Sequence, residues 1–154
     1  MANKPGVYTL IIQLFHESAI NVGKLGFYHF PKGLYVYSGS AIGKGGQSLK
    51  GRVGRHLISK KKMRWHIDYL LNSGSKIVAV IYAESEARME CCVIKKIVKL
   101  ENVRHIVKGF GSSDCSSCES HLYFFSATSF RTLVTSINNV YKTLCLNPQI
   151  LLNK

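Results

Sequence analysis

Alternating apolar positions predict the strands of this chain. Every second side chain of the segment 7–15 lies on one apolar face, which carries Tyr8, Leu10, Ile12 and Leu14. A period of two is typical of a β-strand. Further strands are predicted for a short extended piece at 20–22, a Tyr- and Val-rich run at 34–38, and the apolar runs at 76–84 and 122–126.

Apolar positions three and four residues apart predict the helices. Leu49, Val53 and Leu57 form such a stripe, and Ser48 before them suits an N-cap, so a helix is expected over 49–59. Three more helices are predicted: a short one in "RWHIDYLLNSG" closed by Gly74, one over 86–100 capped by Ser85, and one over 129–144.

The order of these elements, β-β-β-α-α-β-α-β-α, predicts a small α/β or α+β fold. A chain of 154 residues corresponds to one domain, 1–154, and is long enough to bury a core without staples. Turn-rich loops are expected at 39–46 and 109–121.

The charge of the chain changes this picture, because 21 Lys and Arg against 8 Asp and Glu give a net charge of +13. Such a balance favours a polyanionic partner, most often nucleic acid, although a basic ribosomal or membrane-surface protein has the same composition. Between residues 44 and 64 the basic residues occur without any acid, which predicts a phosphate-facing surface. They are Lys44, Lys50, Arg52, Arg55, Lys60, Lys61, Lys62 and Arg64.

The cysteines and the N-terminal segment bear on location. The first apolar run is about nine residues long and is broken by Gln13, so it is too short to cross a membrane or to predict a signal peptide. Five cysteines are an odd number and are expected to be reduced thiols or metal ligands. The expected location is cytoplasmic, with association to the nucleoid.

Glu90 is the first candidate for chemistry. In the predicted helix 86–100 it falls in the middle of the apolar arc. An ionised carboxylate that faces a core needs a base beside it, a bound metal or a shifted proton. A buried ion pair with an arginine is the structural alternative.

Arg52 and His56 lie four residues apart, on one face of the predicted helix 49–59. An arginine can clamp a phosphate, and a histidine one turn later can orient water or stabilise a leaving group. Two ordinary surface cations would have the same spacing. Tyr8 and Tyr37 on neighbouring strands are core aromatics by default, and nearby cations could lower the pKa of such a phenol and activate it.

Together these residues resemble the GIY-YIG endonuclease superfamily. The matching positions are Gly6-Val7-Tyr8, Tyr37-Ser38-Gly39, Arg52, His56 and Glu90. The chain is closer still to a compact archaeal and bacterial branch, some members of which are fused to an endonuclease III-type repair enzyme. The stretches shared with that branch, in the same order within about residues 5 to 126, are "VGKLGFYHFPKGLYVYSGSA", "RVGRH", "WHIDYL" and "GFGSSDC".

The resemblance implies a role for each of these side chains. Glu90 would hold a single Mg²⁺ (or Mn²⁺) ion. Tyr8 would activate or orient the attacking water, and Tyr37 would shape the same site and could share that role. Arg52 would bind the scissile phosphate, and His56 would assist proton transfer or stabilise the leaving group.

The resemblance also implies how the domain is organised. A small central antiparallel or mixed sheet flanked by helices would form a nuclease core over 6–100, followed by a C-terminal strand-helix extension over 101–154. Residues 16–33 would be an insertion, because Tyr8 and Tyr37 are farther apart than in typical superfamily members. Ser38 stands where the superfamily usually has Ile, which removes an apolar anchor.

A separate signal comes from the loop 109–121, where Cys115, Cys118 and His121 have the spacing of three zinc ligands on one loop. The alternative is two reduced thiols beside a core histidine. A structural zinc site needs a fourth ligand, and the candidates are His66, His105, Cys91, Cys92 and Asp114.

The function expected from the sequence is a metal-dependent endonuclease that cleaves DNA, in the repair or processing of damaged or structured DNA. Lys44, Lys50, Arg55, Lys60–Lys62 and Arg64 would bind the DNA backbone. A non-catalytic nucleic-acid-binding module and an RNA nuclease are the alternatives. No membrane partner is expected, and the segment 129–154 could pack on its own core or pair two chains, so a monomer or a homodimer is expected.

Overall fold

Eight β-strands and four α-helices occur in the part of the chain that this computed structural model describes, residues 1–104 and 107–154. The strands are β1 Gly6–Leu14, β2 Ser18–Asn21, β3 Phe27–Phe30, β4 Gly33–Ala41, β5 Lys76–Glu84, β6 Val103–Arg104, β7 Leu122–Phe125 and β8 Gln149–Leu152. The helices are α1 Leu49–Leu57, α2 His66–Leu71, α3 Glu90–Ile97 and α4 Phe130–Thr143.

Six strands form one antiparallel sheet in the order β6-β7-β4-β1-β5-β8, and β2 pairs with β3 as a separate hairpin. β1 is central and pairs antiparallel with both β4 and β5. Its register sets Tyr8 opposite Gly39 of β4. Since successive side chains of a strand point to opposite faces, the long central strands contribute to two cores.

One core lies between the sheet and α1, α2 and the β2–β3 hairpin, and it contains Tyr8, Tyr37 and Val53. The other lies between the sheet and α3 and α4, and it contains Val36 and Ile94. Both cores consist of buried aliphatic and aromatic side chains, so apolar burial on both faces of the sheet holds the layers together. The predicted mixed α+β fold is confirmed, and the sheet is antiparallel throughout its paired strands.

The predicted helix over 86–100 has the wrong boundaries, because α3 begins only at Glu90 and Met89 occupies the N-cap position. Ser85 was expected to cap it. Instead, the Ser85 hydroxyl accepts a hydrogen bond from the Ala87 N–H, and the Ser85 N–H donates to the carbonyl of Pro5. These contacts hold residues 85–87 in a turn beside the start of β1. Glu90 therefore lies in the first turn of the helix.

Three strands were not predicted. β3 lies in a segment whose Gly and Pro residues indicated turns, β6 is only two residues long, and β8 follows α4 in the terminal segment. The segment 16–33, which the resemblance implies is an insertion, contains the β2–β3 hairpin, joined by a single 3₁₀ turn at Gly23–Leu25. Ile20, Val22 and Phe30 bury it against the core.

The terminal segment packs on its own chain. Tyr141 of α4 is buried, and its hydroxyl lies 2.8 Å from the hydroxyl of Thr9 on β1. β8 extends the sheet beyond β5. Within the described residues, none of the helices has the length and apolar character needed to cross a membrane.

Candidate functional site

An open polar cleft brings together four of the five side chains that the sequence predicted as catalytic. Tyr8 of β1, Tyr37 of β4, Arg52 of α1 and Glu90 of α3 line it, and its volume is about 220 Å³. Each of the four comes from a different element of the fold. Other side chains that line the cleft include Ser40, Arg64, Trp65, His66, Arg88 and Asp114.

His56, the fifth predicted residue, is buried behind Tyr8 rather than lining the cleft. Its Nε2 atom lies 2.9 Å from the hydroxyl oxygen of Tyr8. The Tyr8 ring fits beside Gly39, where a Cβ atom would lie 2.6 Å from the Tyr8 hydroxyl. Glycine is therefore required at position 39, which gives a physical reason for the Tyr37-Ser38-Gly39 motif.

Burial controls the protonation of these groups. It raises the pKa of Tyr8 above its ordinary value near 10, against the opposing effect of Arg52, and it raises the pKa of Tyr37 to about 12. Burial, with the charge of Lys61, lowers the pKa of His56 to about 3. At neutral pH the protein alone thus holds two neutral phenols and a neutral imidazole.

Only some of the hydrogen-bond donors of Arg52 have an acceptor among the described residues. Its Nη2 donates to Oε1 of Gln47 at 2.7 Å, and its guanidinium carbon lies 5.2 Å from the centre of the Trp65 ring. Its Nε is buried and has no hydrogen-bond partner among the described residues. A buried donor without an acceptor is costly, so the site is suited to a ligand that brings an acceptor.

Glu90 is the first residue of α3 and is half-buried at the wall of the cleft. Its carboxylate accepts a hydrogen bond from the hydroxyl of Ser40 on β4. Among residues 1–104 and 107–154 it makes no ion pair, so the structural alternative of a buried pair with an arginine is not observed.

Two of the cations that were predicted to bind the DNA backbone, Arg55 and Lys61, instead donate hydrogen bonds within the protein. Arg55 donates to both carboxylate oxygens of the fully buried Asp68 at 2.9 and 2.8 Å, and to the carbonyl of Lys62 at 2.9 Å. Lys61 donates to the carbonyl of His56 at 2.8 Å, at the end of α1. These contacts favour structural roles for both side chains.

The other predicted backbone-binding residues are exposed: Lys44, Lys50, Lys60, Lys62 and Arg64. Arg64 also lines the cleft, as does Arg88, which lies two residues before the start of α3. The position of Arg88 could not be foreseen, because the helix starts after it. Asp114 was considered as a zinc ligand and lies in the cleft instead.

A second group of reactive side chains adjoins the cleft. The ligand atoms of Cys91, Cys115, Cys118 and His121 all lie within 4.8 Å of one another, and these four residues are called the Cys₃His cluster below. Sγ of Cys91 lies 2.9 Å from Sγ of Cys115 and 3.7 Å from Nε2 of His121. The cluster could hold a metal ion.

Of the five candidates for the fourth zinc ligand, Cys91 is the one that joins Cys115, Cys118 and His121 in the cluster. Cys92 is exposed on the same helix, and His105 lies outside the described residues. His66 accepts a hydrogen bond at Nδ1 from the N–H of Gly111 at 2.9 Å, which satisfies that nitrogen within the protein. Sequence spacing could not select Cys91, because residues 91 and 115 meet only through the fold.

The thiols of the cluster differ in their readiness to ionise. Burial alone would raise the pKa of Cys115, but hydrogen bonds with Cys91 and Ser117 outweigh it and lower the pKa to about 6. Burial and the contact with Cys115 raise the pKa of Cys91. A thiolate is the form that binds metal ions, so Cys115 is already poised as a ligand.

The family described as Domain of unknown function DUF123 matches residues 7–145. The chain therefore belongs to this family. The matched range includes the residues that line the cleft and those of the Cys₃His cluster. No curated protein and no solved structure matches the chain. Since the description of the family states no activity, the function has to be inferred from the site itself.

Proposed function

We propose that this protein is a metal-dependent endonuclease of the GIY-YIG type that cleaves DNA phosphodiester bonds. The observation that carries the proposal is the meeting of Tyr8, Tyr37, Arg52 and Glu90 in one open cleft. A module that only binds nucleic acid would not need, in one cleft, two buried phenols, a partly satisfied arginine and a carboxylate that has no ion pair among the described residues. The net charge of +13 supports a polyanionic substrate.

Arg52 would bind the scissile phosphate. Its buried Nε lacks an acceptor among the described residues, and a phosphate oxygen would supply one. Trp65 packs beside the guanidinium, and the bond to Gln47 restrains it, so the side chain is held in position before the substrate arrives. A preorganised cation stabilises charge that develops in the transition state.

Tyr8 would orient and activate the attacking water, with His56 as its partner. His56 stays neutral at physiological pH, so Nε2 can either accept a hydrogen bond from the phenol or donate one to the phenolate. The charge of Arg52 favours the phenolate form of Tyr8. Tyr37 lines the cleft and its ring lies against Gly111 of the loop 109–121, so it would shape the site on that side.

Glu90 would hold Mg²⁺ (or Mn²⁺). Magnesium is usually bound through one or two carboxylates together with waters and substrate phosphates, and Glu90 has a carboxylate free of ion pairs among the described residues, with Asp114 lining the same cleft. When bound, the ion would polarise the phosphate and stabilise the leaving oxygen.

Cleavage assays on supercoiled plasmid and on duplexes with lesions or junctions test the proposal. With Mg²⁺, the wild type should nick DNA and Glu90→Gln should not. Glu86→Gln is the matched control, because Glu86 is an exposed acid four residues earlier and outside the cleft lining. Binding without nicking in all three proteins would favour a non-catalytic module, and cleavage confined to RNA would favour an RNA nuclease.

We also propose that the Cys₃His cluster holds a structural zinc ion. Three thiols and an imidazole are the donor set of a closed tetrahedral zinc site, in which zinc–sulfur bonds are about 2.3 Å long. The four ligand atoms lie within 4.8 Å of one another, so small side-chain movements would bring them around one zinc ion. Elemental analysis of the purified protein should give one zinc per chain, retained in Cys92→Ser and lost in Cys118→Ser; no zinc in the wild type would contradict this proposal.

A further inference from the structure

We propose that the Cys₃His cluster positions Glu90, so that a metal bound at the cluster sets the affinity of Glu90 for its own cation. The two metal sites would then be coupled through the backbone of α3 and the loop 109–121. This inference rests on the proposed function only in that Glu90 binds a divalent cation; it does not require that the protein cuts DNA.

The first link is the start of α3. Glu90 and Cys91 are the first two residues of this helix, so their Cα atoms are only about 3.8 Å apart. The N-cap residue Met89 makes no side-chain hydrogen bond that would hold the helix start. Ligation of Cys91 would therefore restrain the backbone that carries the carboxylate of Glu90.

The second link is the loop that carries the other three ligands. His121 donates its N–H to the carbonyl of Phe110 at 2.8 Å, and its own carbonyl accepts from the N–H of Ser38 at 3.2 Å. Gly111 of the same loop has a φ of +69°, and a Cβ there would lie 2.7 Å from the Tyr37 ring. The loop is thus fitted directly against β4 and Tyr37.

The start of α3 and the loop 109–121 both contribute side chains to the wall of the cleft. Cys115 and His121 line the same cleft as Glu90, whereas Cys118 lies outside the cleft lining, on the far side of the cluster. A metal held by all four side chains would therefore join the start of α3 to the loop that packs on Tyr37. Partners in the shell around a metal ligand orient it, and losing one typically weakens metal affinity about 10- to 100-fold.

Cys118 is the position for a test, because its removal weakens the cluster without changing the cleft lining. The probe is Mn²⁺, titrated by electron paramagnetic resonance into the wild type, Cys118→Ser, Cys92→Ser and Glu90→Gln, with zinc content measured on each sample. The Glu90-dependent Mn²⁺ site is the binding that Glu90→Gln abolishes. Circular dichroism and thermal melting show whether each variant is folded.

Cys118→Ser should lose zinc and bind Mn²⁺ at the Glu90 site about 10- to 100-fold more weakly than the wild type. Cys92→Ser should match the wild type in both zinc content and Mn²⁺ affinity, because Cys92 is exposed and outside the cluster. Cys118→His, which keeps four ligands, should restore zinc and Mn²⁺ affinity together. If Cys118→Ser fails to fold, stripping zinc from the wild type with a chelator gives the same comparison.

Unchanged Mn²⁺ affinity in a folded, zinc-free protein would overturn the inference. So would a wild type without any Glu90-dependent Mn²⁺ site. Coupled zinc and Mn²⁺ binding in a protein that cuts neither DNA nor RNA would leave this inference standing and refute the nuclease proposal. The two failures are therefore distinguishable.

Discussion

Arg55 and Arg52 lie three residues apart on α1, and their guanidinium groups have different surroundings. Arg55 is bound by both carboxylate oxygens of buried Asp68 and by the carbonyl of Lys62, and it packs 4.2 Å from the centre of the Trp65 ring. Arg52 lies near the same ring but leaves a buried Nε without an acceptor among the described residues.

Two identical side chains in one basic segment therefore differ in how far their donors are used within the protein. The donors of Arg55 are used within the protein, so its charge stabilises the junction of α1 and α2. The donors of Arg52 are only partly used, and Arg52 lines a cleft that also contains Glu90. A residue poised for a ligand is expected to contribute little to stability and much to function.

Removing the partner of Arg55 should have the largest effect. Asp68→Ala should lower the free energy of unfolding by about 3–5 kcal/mol, because it leaves a partly buried charge without its partner. Chemical denaturation measures this loss. Glu84→Ala is the control, since Glu84 pairs with Lys4 at 3.3 Å on the exposed surface, and such pairs contribute about 0–1 kcal/mol. Equal losses in the two variants would remove the basis of the comparison.

Changing Arg52 should reverse this pattern. Arg52→Ala should reduce the rate of DNA cleavage about 10²- to 10³-fold, as removal of one preorganised charge-stabilising group does, while the unfolding free energy changes by less than about 1 kcal/mol. Arg52→Lys should not recover the activity, because lysine lacks the planar fork of donors. Single-turnover rates with matched denaturation curves make the measurement, and a stability loss comparable to that of Asp68→Ala would show that Arg52 is structural.

His56 makes a pH-dependent contribution to stability. Its pKa of about 3 in the folded protein lies below the ordinary value of 6.5, so the unfolded chain binds a proton that the folded protein does not. Stability should be complete above pH 6.5 and fall by roughly 1.4 kcal/mol per pH unit on acidification toward pH 4.5. Denaturation midpoints across this range should show a smaller slope in His56→Gln, whereas the exposed control His16→Gln should follow the wild type.

The exposed lysines after α1 should have the smallest effect. Lys60→Ala and Lys62→Ala should leave stability unchanged and each reduce the slope of log affinity against log salt by about 0.9 for duplex DNA, if each side chain contacts one phosphate. Filter binding over a range of salt concentrations measures the slope. Lys142→Ala, an exposed lysine on α4 at the opposite layer, should have no effect on it.

The sequence-based predictions were most accurate where a pattern is local. The predicted Ser48 cap of α1 is present, with its hydroxyl accepting from the N–H group of Gly51. The start of α3 was predicted wrongly, because the turn at Ser85 depends on a backbone hydrogen bond to distant Pro5. β8 was missed because its place in the sheet depends on pairing with β5.

The fold class, the main helices and strands, the excess of positive charge and the residue types that could carry chemistry were all predictable from the amino-acid sequence. They were predictable because periodicity and capping act between residues close together along the chain. The folded structure was needed to show which arginine of α1 stays available and which cysteine completes the cluster. These choices depend on contacts between residues far apart in the chain, such as Arg55 with Asp68 and Cys91 with Cys115.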